Sequence, residues 1–264
     1  INGGTCMITA ASNSRIKRLV QLNQKSKLRR TEDVFLAEGV KMFLEAPREQ
    51  LQEVYVSESF LEKCSCREHL EEVGYEVVSD SVFSKISDTC TPQGVLCVLK
   101  QFHYNIEEML RDKAPLFLLL ENIQDPGNLG TMLRTGEGAG VSGIIMSRDT
   151  VDLYNPKVIR STMGSIYRVP FYYADDFAAA VHQVQQAGVS VYAAHLRGKN
   201  SYACQDYTKG TAFLIGNEGN GLREETAELA DCYIRIPMEG KVESLNAAVA
   251  SSILMYEAHR QRAI

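Results

Sequence analysis

Little in this sequence points to a membrane, a metal or an oxidising compartment. Although 45% of the 264 residues are hydrophobic, no window reaches the run of about 20 apolar residues that crosses a bilayer. The opening INGGTCMITAASNSRIKRL has no apolar core and reads as neither a secretory signal nor an anchor. The seven cysteines are odd in number and lack the spacing of metal ligands. Cys64 and Cys66 flank a single serine rather than the two-residue gap of a zinc knuckle. Cys6, Cys90, Cys97, Cys204 and Cys232 are scattered, mostly among apolar neighbours. Buried reduced thiols are expected, with no structural disulfide and no metal. No repeat of fixed period and no low-complexity segment is present. The formal net charge of −5, taken as a total, argues against a nucleic-acid partner. What remains is an ordinary soluble globular composition, with apolar material for one large domain or two small ones.

Totals hide distribution. Arg15, Lys17, Arg18, Lys25, Lys27, Arg29 and Arg30 follow one another with no acidic residue among them. Ile16, Leu19 and Val20 recur at helical spacing in the same stretch, which predicts a helix with one buried face. A basic run is ordinarily a solvated face. One with no carboxylate inside it suits phosphate contacts, so these seven residues are candidates for holding a nucleic-acid backbone.

The first hundred residues alternate helix-like patches (SRIKRLVQL, VKMFLEA) with strand-like ones (VFLAEG, LQEVYVSE, GYEVVSD, GVLCVLK). That pattern predicts a small α/β domain over residues 1–100 and a polar linker over 101–114. The remainder, 115–264, is more regular. PLFLLLE, GIIMS, VSVYAAH, TAFLIG and CYIRIP are apolar runs too short for helices, separated by helix-like segments such as DDFAAAVHQVQQAG. Continuous apolar strands alternating with helices mean a parallel sheet covered on both faces.

GAGVSG, Gly138 to Gly143, fits the dinucleotide-binding fingerprint letter for letter. The fingerprint must follow a strand and open a helix, so that pyrophosphate meets free helix N–H groups. Here it follows a helix-like segment and precedes the strand GIIMS. Helix termination by a glycine cap is the better reading, and a dinucleotide-dependent enzyme is disfavoured.

Three other stretches carry more. In ENIQDPGNLGTMLRT, a strand ends at Glu121, DPGN turns the chain, and a helix is expected to start near Asn128. Asn128 and Arg134 then lie on neighbouring faces, not quite two turns apart. An ordinary connection capped by Asn128 explains that residue but not Arg134. In FLIGNEGNGL, three apolar strand positions break into three glycines, two asparagines and Glu218. In IPMEGKVESLNAAVA, a loop leads to Ser244, readable as a helix cap, and then to an alanine-rich helix.

In their order and spacing these stretches resemble the three motifs of the SpoU (TrmH-like) group within the SPOUT superfamily of RNA methyltransferases. The similarity spans about Pro115 to Ala258. More loosely, ITAASNSRIKRL and FLAEGVKMFLEA resemble the ribosomal-protein-like substrate-binding domain of the same family. The resemblance implies S-adenosylmethionine as methyl donor, a ribose 2′-hydroxyl of structured RNA as acceptor (ribosomal favoured over transfer RNA), a cytoplasmic homodimer, and a deep trefoil knot in the C-terminal parallel-sheet domain. The knot rests on resemblance alone, since the rule that chains do not thread loops predicts an ordinary doubly wound sheet.

The resemblance also places the site. Gly216 would bring main-chain atoms against the adenine and ribose with no side chain intervening. Leu214, Ile215, Asn217, Gly221, Ile236, Met238, Ser244 and Leu245 match cofactor-contacting positions, and His195, ending VSVYAAH, is a further candidate. Arg134 matches the catalytic arginine. A guanidinium stays protonated in proteins, so gripping a phosphate and stabilising the nascent alkoxide suit Arg134 better than acting as base. Glu218 is either a base, with a carboxyl raised by burial, or an anchor that accepts backbone N–H bonds. Asn128, Ser244 and Asn246 match the remaining polar positions and are expected to orient Arg134, the ribose and the cofactor. A noncatalytic RNA-binding protein retaining the fold is the alternative, and binding of S-adenosylmethionine separates the two.

Overall fold

The computed structural model describes residues 7–242 and 244–263, so Cys6 lies outside the described residues. The chain divides into two compact units, Ile1–Phe102 with Asp152–Tyr167, and His103–Val151 with Arg168–Ile264.

The first unit holds a four-stranded sheet of β1 (Val34–Glu38), β2 (Leu51–Ser57), β3 (Glu76–Val78) and β4 (Val95–Lys100), in the order β1-β4-β2-β3. β4 runs antiparallel to both neighbours, and β2 and β3 are parallel. The expected basic helix is Ser14–Gln24. Asn13 Oδ1 caps it by accepting from the Arg15 amide at 2.9 Å, and Ile16, Leu19 and Leu22 form its buried face. A second helix, Ser26–Glu32, carries the rest of the basic run.

The segment Asp152–Tyr167 reads in the sequence as part of the second half, yet it packs within the first unit. Asn155 caps its helix Pro156–Thr162, which turns Val158 and Ile159 inward and packs against β1. The Tyr154 hydroxyl meets the Phe102 amide at 2.6 Å, and the Tyr167 hydroxyl donates to the Met42 carbonyl at 2.9 Å. Periodicity shows that a short helix has an apolar face but not which sheet that face will cover.

The second unit is a seven-stranded sheet built of β5 (Leu116–Leu120), β6 (Gly143–Ser147), β7 (Phe171–Ala174), β8 (Ser190–Ala194), β9 (Asn200–Ser201), β10 (Thr211–Ile215) and β11 (Cys232–Arg235). The spatial order is β7-β6-β5-β10-β8-β11-β9, and every pairing is parallel. The expected apolar runs are the central strands. β5, β6 and β10 are buried at every position because helices cover both faces. The short strands β7 and β9 lack that signal. Gly140 ends the helix Pro126–Ala139 in the left-handed conformation, at φ 77° and ψ 38°, so GAGVSG is a helix terminus. That helix packs on Ala247–Arg262 through small residues, with Gly136 beside Met255 and the Ser252 hydroxyl 3.4 Å from that of Thr135.

The cysteines depart in part from expectation. Cys97 is buried in β4, but Cys90 and Cys204 are exposed and Cys64, Cys66 and Cys232 are intermediate, because they sit in turns, at helix ends and at the first position of β11. Among the described residues, no helix is long and apolar enough to cross a membrane.

Candidate active site

Parallel pairing puts the C-terminal ends of β5, β10, β8 and β11 along one edge of the second sheet, where ligands of open α/β sheets bind. Leaving β5, the chain turns through Asn122, whose φ of 54° is left-handed. It then enters the helix Pro126–Ala139 two residues earlier than expected. The cap is Asp125, whose Oδ1 accepts from the Asn128 amide at 2.8 Å, and proline fills the first helical position. Asn128 is therefore not the cap, and its side chain is free for other work.

That work is a bridge. Asn128 donates to Glu218 Oε1 at 3.0 Å and accepts from the Asn246 side-chain amide at 3.0 Å. Three residues far apart in the chain, one from each motif, thus form one hydrogen-bonded chain. Glu218 also accepts from the backbone amides of Gln124 (3.1 Å) and Asp125 (3.0 Å). Burial pushes its carboxyl up, but the bonds from Asn128 and the two amides outweigh burial, and the net direction is downward. Every one of those donors favours the charged form, as suits an anchor.

The glycine-rich loop closes on itself. Asn217 and Gly221 exchange backbone hydrogen bonds at 3.0 and 2.9 Å, with Gly221 at φ 68°. The Asn217 side chain accepts from the Gly219 and Asn220 amides and donates to the Asn122 carbonyl at 2.8 Å. A Cβ on Gly216 would stand 2.2 Å from backbone atoms of Gly221 and Leu222. The glycine is required first by the fold of its own loop; a valine there would disrupt that loop as well as any ligand.

Around this loop lies a cleft of about 270 Å³. His195, Ile215, Gly216, Asn217, Gly221, Ile236, Met238, Ser244 and Leu245 all line it, as does Glu218. Leu214 does not. Strand alternation turns it to the opposite face of β10, into a core with Leu119 and Ala212. His195 Nδ1 accepts from the Arg197 amide at 3.1 Å, and burial, helped by the Arg197 charge, lowers its pKa, so a neutral imidazole faces the cleft. Ser244 lines the cleft without capping a helix. The cap of Ala247–Arg262 is Asn246, whose Oδ1 accepts from the Ala248 and Val249 amides at 2.9 and 3.2 Å. Arg134 is exposed on the helix Pro126–Ala139 and is not part of the lining.

Sequence reasoning did not single out Gln124 and Asp125, whose amides hold Glu218, or Leu196, Leu222, Ala247 and Ala250 in the cleft wall. The Asp-Pro pair at a helix start was a usable signal for the first two; the apolar four have none. Glu121, the strand end that opens the first motif, is 1% exposed. It accepts from the Arg223 amide at 2.8 Å and from the Thr226 hydroxyl, tying the far end of the glycine-rich loop to β5.

The seven basic candidates belong to the first unit and divide in two. Arg15 pairs with Glu76 at 2.7 Å, and Arg18 with Glu32 and Glu53 at 2.6 and 2.8 Å. Arg29 is 3% exposed, pairs with Asp152 at 2.6 Å and donates to the Leu22 carbonyl. The run has no carboxylate within it, but residues outside it supply them. Lys17, Lys25, Lys27 and Arg30 stay exposed.

Residues 115–256 match the model of the SpoU rRNA methylase family, and residues 13–97 match that of the MRM3-like substrate binding domain. The chain is 32% identical over 252 residues to the 23S rRNA (guanosine(2553)-2′-O)-methyltransferase RlmP of Bacillus subtilis, covering 94% of this chain and 97% of the relative. Among solved structures, an AdoMet-bound rRNA methyltransferase from Sinorhizobium meliloti superimposes with a TM-score of 0.84 at 31% identity, over 97% of both chains. The SpoU methyltransferase AviRb from Streptomyces viridochromogenes, in complex with AdoMet, gives 0.86 at 26% identity, covering 95% of this chain and 98% of that one.

Proposed function

The chain belongs to the SpoU rRNA methylase family, and from that premise we infer an S-adenosylmethionine-dependent RNA ribose 2′-O-methyltransferase that works on ribosomal RNA as a cytoplasmic homodimer. The observation that carries the reading is the chain Asn246–Asn128–Glu218, which joins the three motifs beside the cleft.

The cleft suits the cofactor. Its volume is near the lower end of small-molecule sites, roughly 300 Å³, and it combines apolar walls (Ile215, Leu222, Ile236, Leu245) with peptide groups of a glycine-rich loop. Such a lining holds an adenosine by packing and main-chain hydrogen bonds, and neutral His195 adds no positive charge against a sulfonium. When bound, S-adenosylmethionine supplies an electrophilic methyl group. The protein's part is to hold the ribose oxygen in line with that methyl, which alone accounts for much of the acceleration. Glu218 serves this as an anchor, fixing the turn that leads into the arginine-bearing helix. Arg134 grips the phosphate next to the target ribose and stabilises the developing alkoxide, with a phosphate oxygen or water receiving the proton.

Arg134 lies outside the cleft lining of its own protomer, which favours a dimer in which it serves the partner's site. The same helix pair exposes Val249 and Tyr256, 48% and 49% accessible, as apolar surface for that contact. Lys17, Lys25, Lys27 and Arg30 are the proposed phosphate contacts of the substrate-binding unit. The trefoil knot belongs to the same reading. Its support is the placement of β10 between β5 and β8, and the tight passage of Gly198, where a Cβ would lie 2.8 Å from the Ile234 carbonyl carbon.

Calorimetry with S-adenosylmethionine, followed by transfer of labelled methyl groups to ribosomal RNA, tests the proposal. Ile236→Trp fills the cleft with no substitution in the glycine-rich loop and should abolish cofactor binding in a folded protein. Cofactor binding with no transfer to any RNA would leave the noncatalytic reading.

A further inference from the structure

The first unit carries a cleft of about 430 Å³ that the three motifs do not explain. It opens where β2 runs past the start of β3. Parallel pairing begins only at Tyr55 and Glu76, so Gln52, Glu53 and Val54 border the cleft with no strand on that side. Gly74 and Tyr75, just before β3, form the facing wall.

Two arginines and two glutamates share this space, in different states. Arg18 and Glu53 are committed, since Arg18 holds Glu32 and Glu53, and the second oxygen of Glu53 accepts from the Tyr55 hydroxyl. Arg15 and Glu76 are not. Their contact uses Nη1 of the arginine and Oε1 of the glutamate at 2.7 Å. Among the described residues Arg15 Nε and Nη2 and Glu76 Oε2 meet no partner, and the two side chains are 57% and 31% accessible. A planar fork of donors thus stands beside a half-open carboxylate, with the Tyr75 ring in the same wall.

We propose that this cleft reads an unpaired guanine of the RNA substrate, an inference that rests on the RNA reading above. Proteins recognise RNA sequence chiefly in unpaired stretches, where a splayed base stacks on an aromatic ring and is hydrogen-bonded along its edge. Guanine places two adjacent N–H donors on one edge, which a single carboxylate accepts together. Its O6 and N7 are the acceptors an arginine fork matches. Adenine, cytosine and uracil each present one donor position on that edge, so Glu76 engages them once. Phosphate is the wrong occupant, because Glu53 and Glu76 repel it. Glu76 and Arg15 are specificity residues here, separate from the phosphate contacts of Lys17, Lys25, Lys27 and Arg30.

The test uses the full chain and three 12-nucleotide RNAs: oligouridine, the same with one central guanosine, and the same with inosine in its place. Affinity is read by fluorescence anisotropy. The guanosine RNA should bind about tenfold tighter than oligouridine, the low end for one bidentate base contact. Inosine lacks the N2 amino group and should lose most of the preference with no change to the protein. Glu76→Gln should erase the preference, and Arg15→Gln should reduce it. Equal affinity for guanosine and oligouridine RNA, or a preference that survives both inosine and Glu76→Gln, overturns the cleft assignment and leaves the RNA reading standing. Failure to bind these RNAs and ribosomal RNA alike would bring down both.

Discussion

The two units use polar residues in opposite ways. Beside the cleft of the second unit, the key contacts are short bonds among neutral amides and one carboxylate. Asn128 bridges Glu218 and Asn246, and the pattern is complete within three motifs. In the first unit, seven cations close in sequence are dispersed by the fold, three to carboxylates outside the run and four to solvent. A hydrogen-bonded network keeps its meaning when read as a motif, because spacing and residue type both enter its geometry. A charge run loses it, because Coulomb partners arrive from anywhere in the chain.

Breaking the second unit's site should give the largest effect. Arg134→Ala is expected to leave cofactor binding nearly intact and to lower single-turnover methylation by ~10²–10³, the loss seen on removing one transition-state donor. Arg134→Lys should rescue little, since it lacks the planar fork. A near-normal rate for the alanine variant, at saturating cofactor and RNA, would remove Arg134 from the chemistry.

Next comes the structural cation. Arg29→Met should destabilise the protein by about 3 kcal/mol, the low end for breaking a buried pair because Asp152 keeps some water. Chemical denaturation would show it. A loss below about 1 kcal/mol, the worth of an exposed pair, would place Arg29 with the surface cations.

The solvent-facing cations should behave otherwise. Replacing Lys17, Lys25, Lys27 and Arg30 by glutamine should leave stability unchanged and flatten the salt dependence of RNA binding by roughly 3 in log–log slope, about 0.7 per contact on single strands. Arg18→Gln should not move that slope. If it does, the division between committed and free cations fails.

The smallest effect is a pH signature. The folded carboxyl of Glu218 titrates below its unfolded value. Its stabilisation is therefore present above the ordinary glutamate range, about 4.3, and is lost as pH falls through the folded value. The melting-temperature gap between the protein and Glu218→Gln should hold from neutral pH down to that range and close below it. A gap that widens on acidification would mean a raised carboxyl and would restore Glu218 as a candidate base.

Some of this protein is written locally. Apolar runs too long for a half-buried strand and too short for a helix determined the parallel sheet, because a strand covered on both faces needs no alternation. Glycine at 140 determined a helix end, because a left-handed cap favours a residue without Cβ. Residue order in the three motifs pointed to residues that line one cleft, Leu214 excepted. Only the tertiary structure decided the rest. It gave the caps to Asp125 and Asn246, leaving Asn128 and Ser244 to other roles, since a cap depends on where the first turn closes. It sent residues 152–167 to the first unit, since a buried face specifies no partner. It turned Glu218 into a held carboxylate and Arg29 into a core cation, because a titrating group takes its properties from neighbours that sequence distance does not reveal.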